Sequence, residues 1–405
     1  MFSLLLALSL SLSLLLSPES QVILGNSVGL GGWLLWPVLP VVAGVAYLTI
    51  QRYGKESEFS SLHAQYGLWL PLCSLMASRL LFFITASTIV LATAGYVFNE
   101  VFVSSFPNFG FAFLLLGFVL VVQCIGGRVS GVVQMALVFV WLCGLLYLVV
   151  SGLGAESHPK AVGVTVFSYR GVFLPFLLLV GVELGLVGGT HHFTSPARSI
   201  WFGVAFFFLL LATWGFIMGN MVDPQTLSTS FIPHTKSARR LLGDPGRVAL
   251  GMAMIAGTVV LVNGLLTILV AQLKEVGATL GMSASLLQST WFRIVLILLV
   301  GTSPGWMMAH GMAGHEVTEV YLRASLLFWL LHFGQVLLMG LRQMATMARL
   351  VAGFVVVLLL VVVVGLVYFD LGRNSLLASM GWTFAVSSGL AGIGVVVQHF
   401  TVKKK

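Results

Sequence analysis

Charge is what this sequence has least of. Among 405 residues there are 20 Lys or Arg and 12 Asp or Glu, 8% in all. Soluble proteins carry about 25%. The longest polar connection, about 222–246, is too short to bury a core of its own, which excludes a separate soluble domain. Cysteine is nearly missing. Cys73, Cys124 and Cys143 lie in apolar runs with no close spacing, so they read as buried thiols rather than as a disulfide framework or a zinc site. There is no nucleotide-binding glycine loop, no G-x-S-x-G and no C-x-x-C, so neither an enzyme nor an organic cofactor is expected. The formal net charge of +8 is spread over short connections, where basic residues set membrane topology, and forms no patch for nucleic acid.

What fills the chain instead is apolar: 59% of residues are hydrophobic. A membrane-spanning helix needs about 20 apolar residues. The runs at 198–222, 247–273 and 345–369 reach that length without alternation, which excludes a β-barrel. The expected fold is all-α and polytopic, with twelve hydrophobic segments. They fall near 2–26 (interrupted at Pro18), 31–51, 66–99, 108–126, 130–152, 171–190, 198–221, 247–273, 290–309, 323–341, 345–369 and 376–399. Residues 1–20 also fit the length of a signal peptide, but they lack a basic start and an A-x-A site. The tail Lys403–Lys405 abuts the last span and favours both termini on the cytoplasmic side of a bacterial inner membrane. The basic run at 234–247 works against that bias unless it forms a short amphipathic piece at the outer interface.

Two segments carry polar chemistry inside apolar runs. In "LLLVGVELGLVGGTHHFTSPARS" (177–199), Glu183 stands among Gly181, Gly185, Gly188 and Gly189. A carboxylate at mid-bilayer costs at least about 2.5–3.5 kcal/mol, and each glycine costs a helix about 1 kcal/mol. Close helix packing accounts for some of the glycines. A broken helix accounts for both features, because unwound backbone and a polar side chain then face a cavity. In "LALSLSLSLLLSPES" (6–20), Ser9, Ser11 and Ser13 alternate ahead of Pro18. Serine hydroxyls bond backbone carbonyls and loosen a helix, and proline stops or kinks it. The alternative is a low-complexity leucine/serine leader.

Four stretches in register resemble the amino acid–polyamine–organocation transporters. These are "GVAYLTIQRYGKESEFSSLHAQYG" (44–67), "GGRVSGVVQMALVFVWLCGLL" (126–146), "FLPFLLLVGVELGLVGGTHHFTSPARSI" (173–200) and "VNGLLTILVAQLKEVG" (262–277). They are similar to that family's connection between helices 2 and 3, its helix 5, its helix 6 and the end of its helix 8. The resemblance implies a leucine-transporter-like fold of about 12 transmembrane helices, an inverted 5+5 repeat with helices 1 and 6 broken. Residues 1–344 would be the ten-helix core, with repeats over 1–152 and 171–344. Residues 345–405 would be two accessory helices and a basic tail. It implies a permease for an amino acid or small organic amine, working by alternating access. The substrate would meet Ser11, Leu12 and Ser13 in helix 1 and Gly181, Val182 and Glu183 in helix 6. Coupling to Na+ or H+ would involve Glu183 or Thr267, with no resident metal. Thr267 reads equally as a helix hydroxyl bonded to its own backbone. Helix 1 has serine where the family has glycine, and Trp141 stands where proton-coupled members carry a lysine. Those departures keep open a membrane receptor or complex subunit that binds without transporting, and a ligand-free scaffold.

Three further features need partners or water. Arg79, inside helix 3, must pair or snorkel. His191 and His192 read as interfacial groups or as a proton relay. His310, His315 and Glu316 in "HGMAGHE" read as a solvated loop, with metal binding as the alternative.

Overall fold

A computed structural model describes residues 2–31, 58–155, 197–230, 232–341 and 346–402. The regular structure of these residues is helical throughout. In chain order the helices are α1 (Phe2–Leu12), α2 (Pro18–Gly29), α3 (Glu58–Tyr66), α4 (Trp69–Val101), α5 (Asn108–Ile125), α6 (Gly127–Leu153) and α7 (Ala197–Met221). There follow α8 (Pro224–Thr229), α9 (Pro233–Leu242), α10 (Asp244–Thr279), α11 (Ala284–Gln288), α12 (Thr290–Gly301), α13 (Ser303–Ala309), α14 (Glu316–Leu341), α15 (Thr346–Tyr368) and α16 (Arg373–Val402). Ten of the twelve expected hydrophobic segments thus hold helices. The segments at 31–51 and 171–190 lie outside the described residues, except for Gly31.

Eight helical stretches among the described residues are long and apolar enough to cross a membrane. Burial sorts them. In α10, 89% of the most apolar window is inside the protein, against 17% in α16. So α10 is the central rod and α16 lies at the periphery with most of its apolar surface outward. α10 packs chiefly on α6 and α4, and α14 packs on α4 and α15. Aromatic side chains fill these seams: Phe82 of α4 meets Trp329 of α14 edge-on at 5.1 Å, and Trp141 of α6 meets Phe207 of α7 at 5.3 Å.

Local sequence explains the interruptions. Gly67 (φ 75°) turns the chain between α3 and α4, a backbone setting that a side chain would strain. Within α4, residues Leu75–Leu80 widen into a π-helical turn, the kind of local expansion often found at functional sites. Pro304 opens α13 at its first turn, where a missing N–H costs nothing, and so separates it from α12. The basic run at 233–242 forms the short amphipathic helix α9. It buries Pro233, His234, Ser237 and Ala238 and exposes Lys236, Arg239 and Arg240.

Candidate binding site at the break in helix 1

The first hydrophobic segment is two helices. α1 ends at Leu12, residues 13–16 form a turn, and α2 begins at Pro18. The serines produce this. Ser9, Ser13 and Ser17 donate their hydroxyls to the carbonyls of Leu6, Leu10 and Leu14 at 2.7, 2.6 and 2.6 Å. Each thus offers the backbone a local partner in place of the helix ladder. Ser17 then caps α2, its Oγ accepting from the Ser20 N–H at 3.2 Å, with Pro18 in the first turn where its missing N–H costs nothing. Ser20 donates to the Leu15 carbonyl at 2.5 Å. The interruption is therefore well satisfied by its own side chains.

Two glycines of α10 receive this turn. A Cβ at Gly257 would collide with the Leu16 carbonyl oxygen, and one at Gly264 would stand 3.1 Å from both the Cβ and Oγ of Ser13. Seven residues apart, they lie on one face of α10, two turns from each other. Trp141 of α6 closes the Gly257 end of this groove.

Beside Gly264 lies a buried lattice of uncharged polar groups from α5, α6 and α10. Gln123 Nε2 donates to Asn263 Oδ1 (2.8 Å) and to Thr267 Oγ1 (2.6 Å). Asn263 Nδ2 donates to Gln134 Oε1 (2.8 Å), while Ser130 Oγ donates to Asn263 Oδ1 (3.0 Å). Gln134 Nε2 donates to the Val260 carbonyl (3.1 Å) and lies 3.2 Å from the space a Gly264 Cβ would take. Thr267 Oγ1 donates to its own helix at the Asn263 carbonyl (2.8 Å), which matches the backbone-bonded reading of this residue. Gln123, Ser130 and Gln134 were not singled out from the sequence. Their signal is an amide or hydroxyl inside an apolar span, costly unless paired.

The opposite face of α2 meets a cavity of about 10 Å³, room for a single water. Glu19 and Ser20 are its polar wall; Leu14, Ile23, Phe82, Ala86, Val90, Leu261, Leu322 and Leu326 complete it. Glu19 escaped the sequence reading because a Ser-Pro-Glu run looks like a connection. On the other side of α2, Gly25 abuts Pro233 and Gly29 abuts Pro224, Leu227 and Ser228, so α8 and α9 press directly on its backbone. His234 is fully buried there. Among the described residues neither ring nitrogen has a partner, and burial pushes its imidazole down to about 3.

Of the expected contact residues, Leu12 and Ser13 stand at the break, and Ser11 is in the last turn of α1. Gly181, Val182 and Glu183, and with them His191 and His192, lie outside the described residues. Arg79 does have partners. It is 5% exposed, its Nη2 lies 3.1 Å from His332 Nε2, and its guanidinium sits 5.8 Å from the Trp329 ring centre. His332 Nδ1 in turn meets Ser74 Oγ at 2.6 Å, tying the π-helical turn of α4 to α14. His310 and His315 are exposed and held by local contacts. His310 Nδ1 is 2.9 Å from the Trp306 carbonyl, and His315 Nδ1 accepts from the Val317 N–H at 3.3 Å.

No protein-family model matches the sequence, and no curated protein matches it. Solved structures do. MhsT in complex with L-phenylalanine aligns with a TM-score of 0.58 at 14% identity, over 97% of this chain and 98% of that one. A manganese transporter of Eremococcus coleocola, in complex with an aromatic bis-isothiourea substituted compound, aligns with a TM-score of 0.55 at 14% identity, over 99% and 95%. Both likenesses extend over nearly the full length of each chain. The protein is therefore an all-helical, polytopic integral membrane protein with the leucine-transporter-like fold.

Proposed function

We propose that the protein is a secondary active transporter for an amino acid or small organic amine, driven by alternating access and coupled to H+ or Na+. One observation carries this reading. The first span is interrupted at residues 13–16, and the interruption is seated on Gly257 and Gly264 of the most buried helix. A half-helix that begins at such an interruption turns the positive end of its dipole towards it, which suits a carboxylate. The fold-level likeness to MhsT with L-phenylalanine bound supports an amino-acid substrate. In this reading Ser11, Leu12 and Ser13 face Gly181, Val182 and Glu183 across the central site, and Glu183 or Thr267 takes part in coupling. Residues 1–344 form the transport core, and 345–405 add two accessory helices.

The test uses the purified full chain in two formats. A thermal-shift panel of amino acids, amines and cations should give at least one stabilising ligand, since binding stabilises the folded state by mass action. Proteoliposomes under H+ or Na+ gradients should then accumulate that ligand. Binding without flux under any gradient would make the protein a receptor. No stabilising ligand at all would leave a scaffold. Gly181→Leu should abolish binding by filling the second break, and normal binding in that variant would move the site elsewhere.

A further inference from the structure

Between α4 and α14 a buried cation holds a buried histidine in one protonation form. Arg79 of α4 is 5% exposed and His332 of α14 is 3% exposed. Arg79 Nη2 lies 3.1 Å from His332 Nε2. A guanidinium keeps all its protons and can only donate. His332 Nε2 must therefore accept, through its one lone pair. The ring proton is then on Nδ1, which donates to Ser74 Oγ at 2.6 Å.

The same contacts hold an irregular stretch of backbone. Ser74 immediately precedes the π-helical turn Leu75–Leu80, and Arg79 lies within it. Ser78 donates its hydroxyl to the Ser74 carbonyl at 2.6 Å. On α14, Trp329 stands one turn before His332, with its ring centre 5.8 Å from the Arg79 guanidinium. The widened turn is thus tied to α14 at both of its ends, by Ser74 and by Arg79.

Other described titratable groups on the helices around α14 are placed elsewhere. On α4, Cys73 meets Ser388, and Tyr96 and Glu100 are exposed at the far end. On α3, His63 meets Gln398, and Tyr66 is exposed. Arg349 and Tyr368 of α15 and Arg373 and His399 of α16 are exposed. On α14 itself, Glu316, Glu319, Tyr321 and Arg323 precede His332 by more than two turns. Lys274 and Glu275 lie half-buried near the end of α10, which packs on α4.

An imidazolium carries a proton on each nitrogen. A second proton on His332 takes the lone pair that Arg79 uses and sets one cation 3.1 Å from another. The Arg79 contact and the charged form of His332 therefore exclude each other. Imidazole is the side chain whose ordinary titration lies nearest physiological pH.

We propose that His332 is a proton-binding site that works as a latch: proton uptake at Nε2 expels Arg79 and frees the π-helical turn of α4 from α14. Uptake forms one N–H bond at Nε2 at the expense of a hydronium ion, keeps the Nδ1–H on Ser74 and yields an imidazolium. Release returns that proton to water and readmits the guanidinium. Ser74 is half-buried and stands five residues from the start of the span at Trp69, about 7.5 Å along the axis, so water can arrive on that side. The latch involves no substrate and stands whether or not the chain transports.

Hydrogen exchange of the full chain in phosphatidylcholine vesicles, read by mass spectrometry and corrected for the chemical exchange rate at each pH, tests it. Amides of Leu75–Leu80 should open about tenfold more often per pH unit of acidification, the slope of one linked proton. Those of Val90–Val101 should keep their protection. His332→Gln offers Arg79 an acceptor that cannot charge, and should remove the acid response. A native chain without that response, or a variant that keeps it, overturns the proposal. A second measurement needs no variant. With isotope-labelled histidine and arginine, solid-state NMR selects the imidazole beside a guanidinium. At neutral pH its proton should be on Nδ1, and in acid the correlation should vanish as both nitrogens become protonated. A proton on Nε2 at neutral pH, or a correlation that survives acid, overturns the proposal as well.

Discussion

His234 sits with both ring nitrogens sealed from water on the buried face of α9. Its folded value of about 3, against an ordinary 6.5, has a definite sign for stability. The neutral imidazole is favoured in the folded state, so the stabilisation is fully present above pH 6.5 and is lost as pH falls towards 3. The limiting slope is about 1.4 kcal/mol per pH unit. Melting of the solubilised protein should therefore drop between neutral and mildly acid pH, and His234→Phe should flatten that drop. An equal pH dependence in the variant removes His234 from the account. At this scale the sequence was least legible. Neither His234 nor Gln123 stands out in the sequence, because burial is decided by helices that arrive from elsewhere in the chain.

The broken first helix was legible, because its causes are local. Alternating serines and a Ser-Pro step carry their own hydrogen-bonding logic, and the structure uses Ser13, Ser17 and Pro18 accordingly. The element that receives the break was not. Gly257 and Gly264 look like ordinary small residues of a long apolar run until Leu16 and Ser13 are set against them. Gly257→Ala should cost about 1–3 kcal/mol through overpacking, measured as a fall in melting temperature. Gly334→Ala in α14, where a Cβ meets nothing within 4 Å, should cause no loss. The amide lattice gives a second check on elements. Asn263→Leu leaves Gln123, Ser130 and Gln134 short of partners, each at about 1–3 kcal/mol, so it should destabilise more than Thr267→Val does. If both variants melt alike, Asn263 is not the hub that its hydrogen bonds make it.

For the molecule as a whole, hydrophobic run length was sufficient to place ten of the twelve helical segments. What run length omits is how the peripheral helices are fastened. Arg323 of α14 donates to Asp370 at 2.6 Å, and Asp370 also accepts from the Gly372 N–H at 2.7 Å, just before α16. The Asp370 side chain is 6% exposed and that of Arg323 is 31%. The pair is therefore partly screened, and Asp370→Asn should cost about 1–2 kcal/mol, less than a fully buried pair would. Protease cleavage between α15 and α16 should become faster; an unchanged cleavage rate would show that apolar packing alone holds the last helix.

The lattice of Gln123, Ser130, Gln134, Asn263 and Thr267 joins three helices without a single formal charge. Neither a membrane voltage nor an acid compartment exerts force on neutral amides and hydroxyls, so this seam keeps the same grip on both sides of an energised membrane.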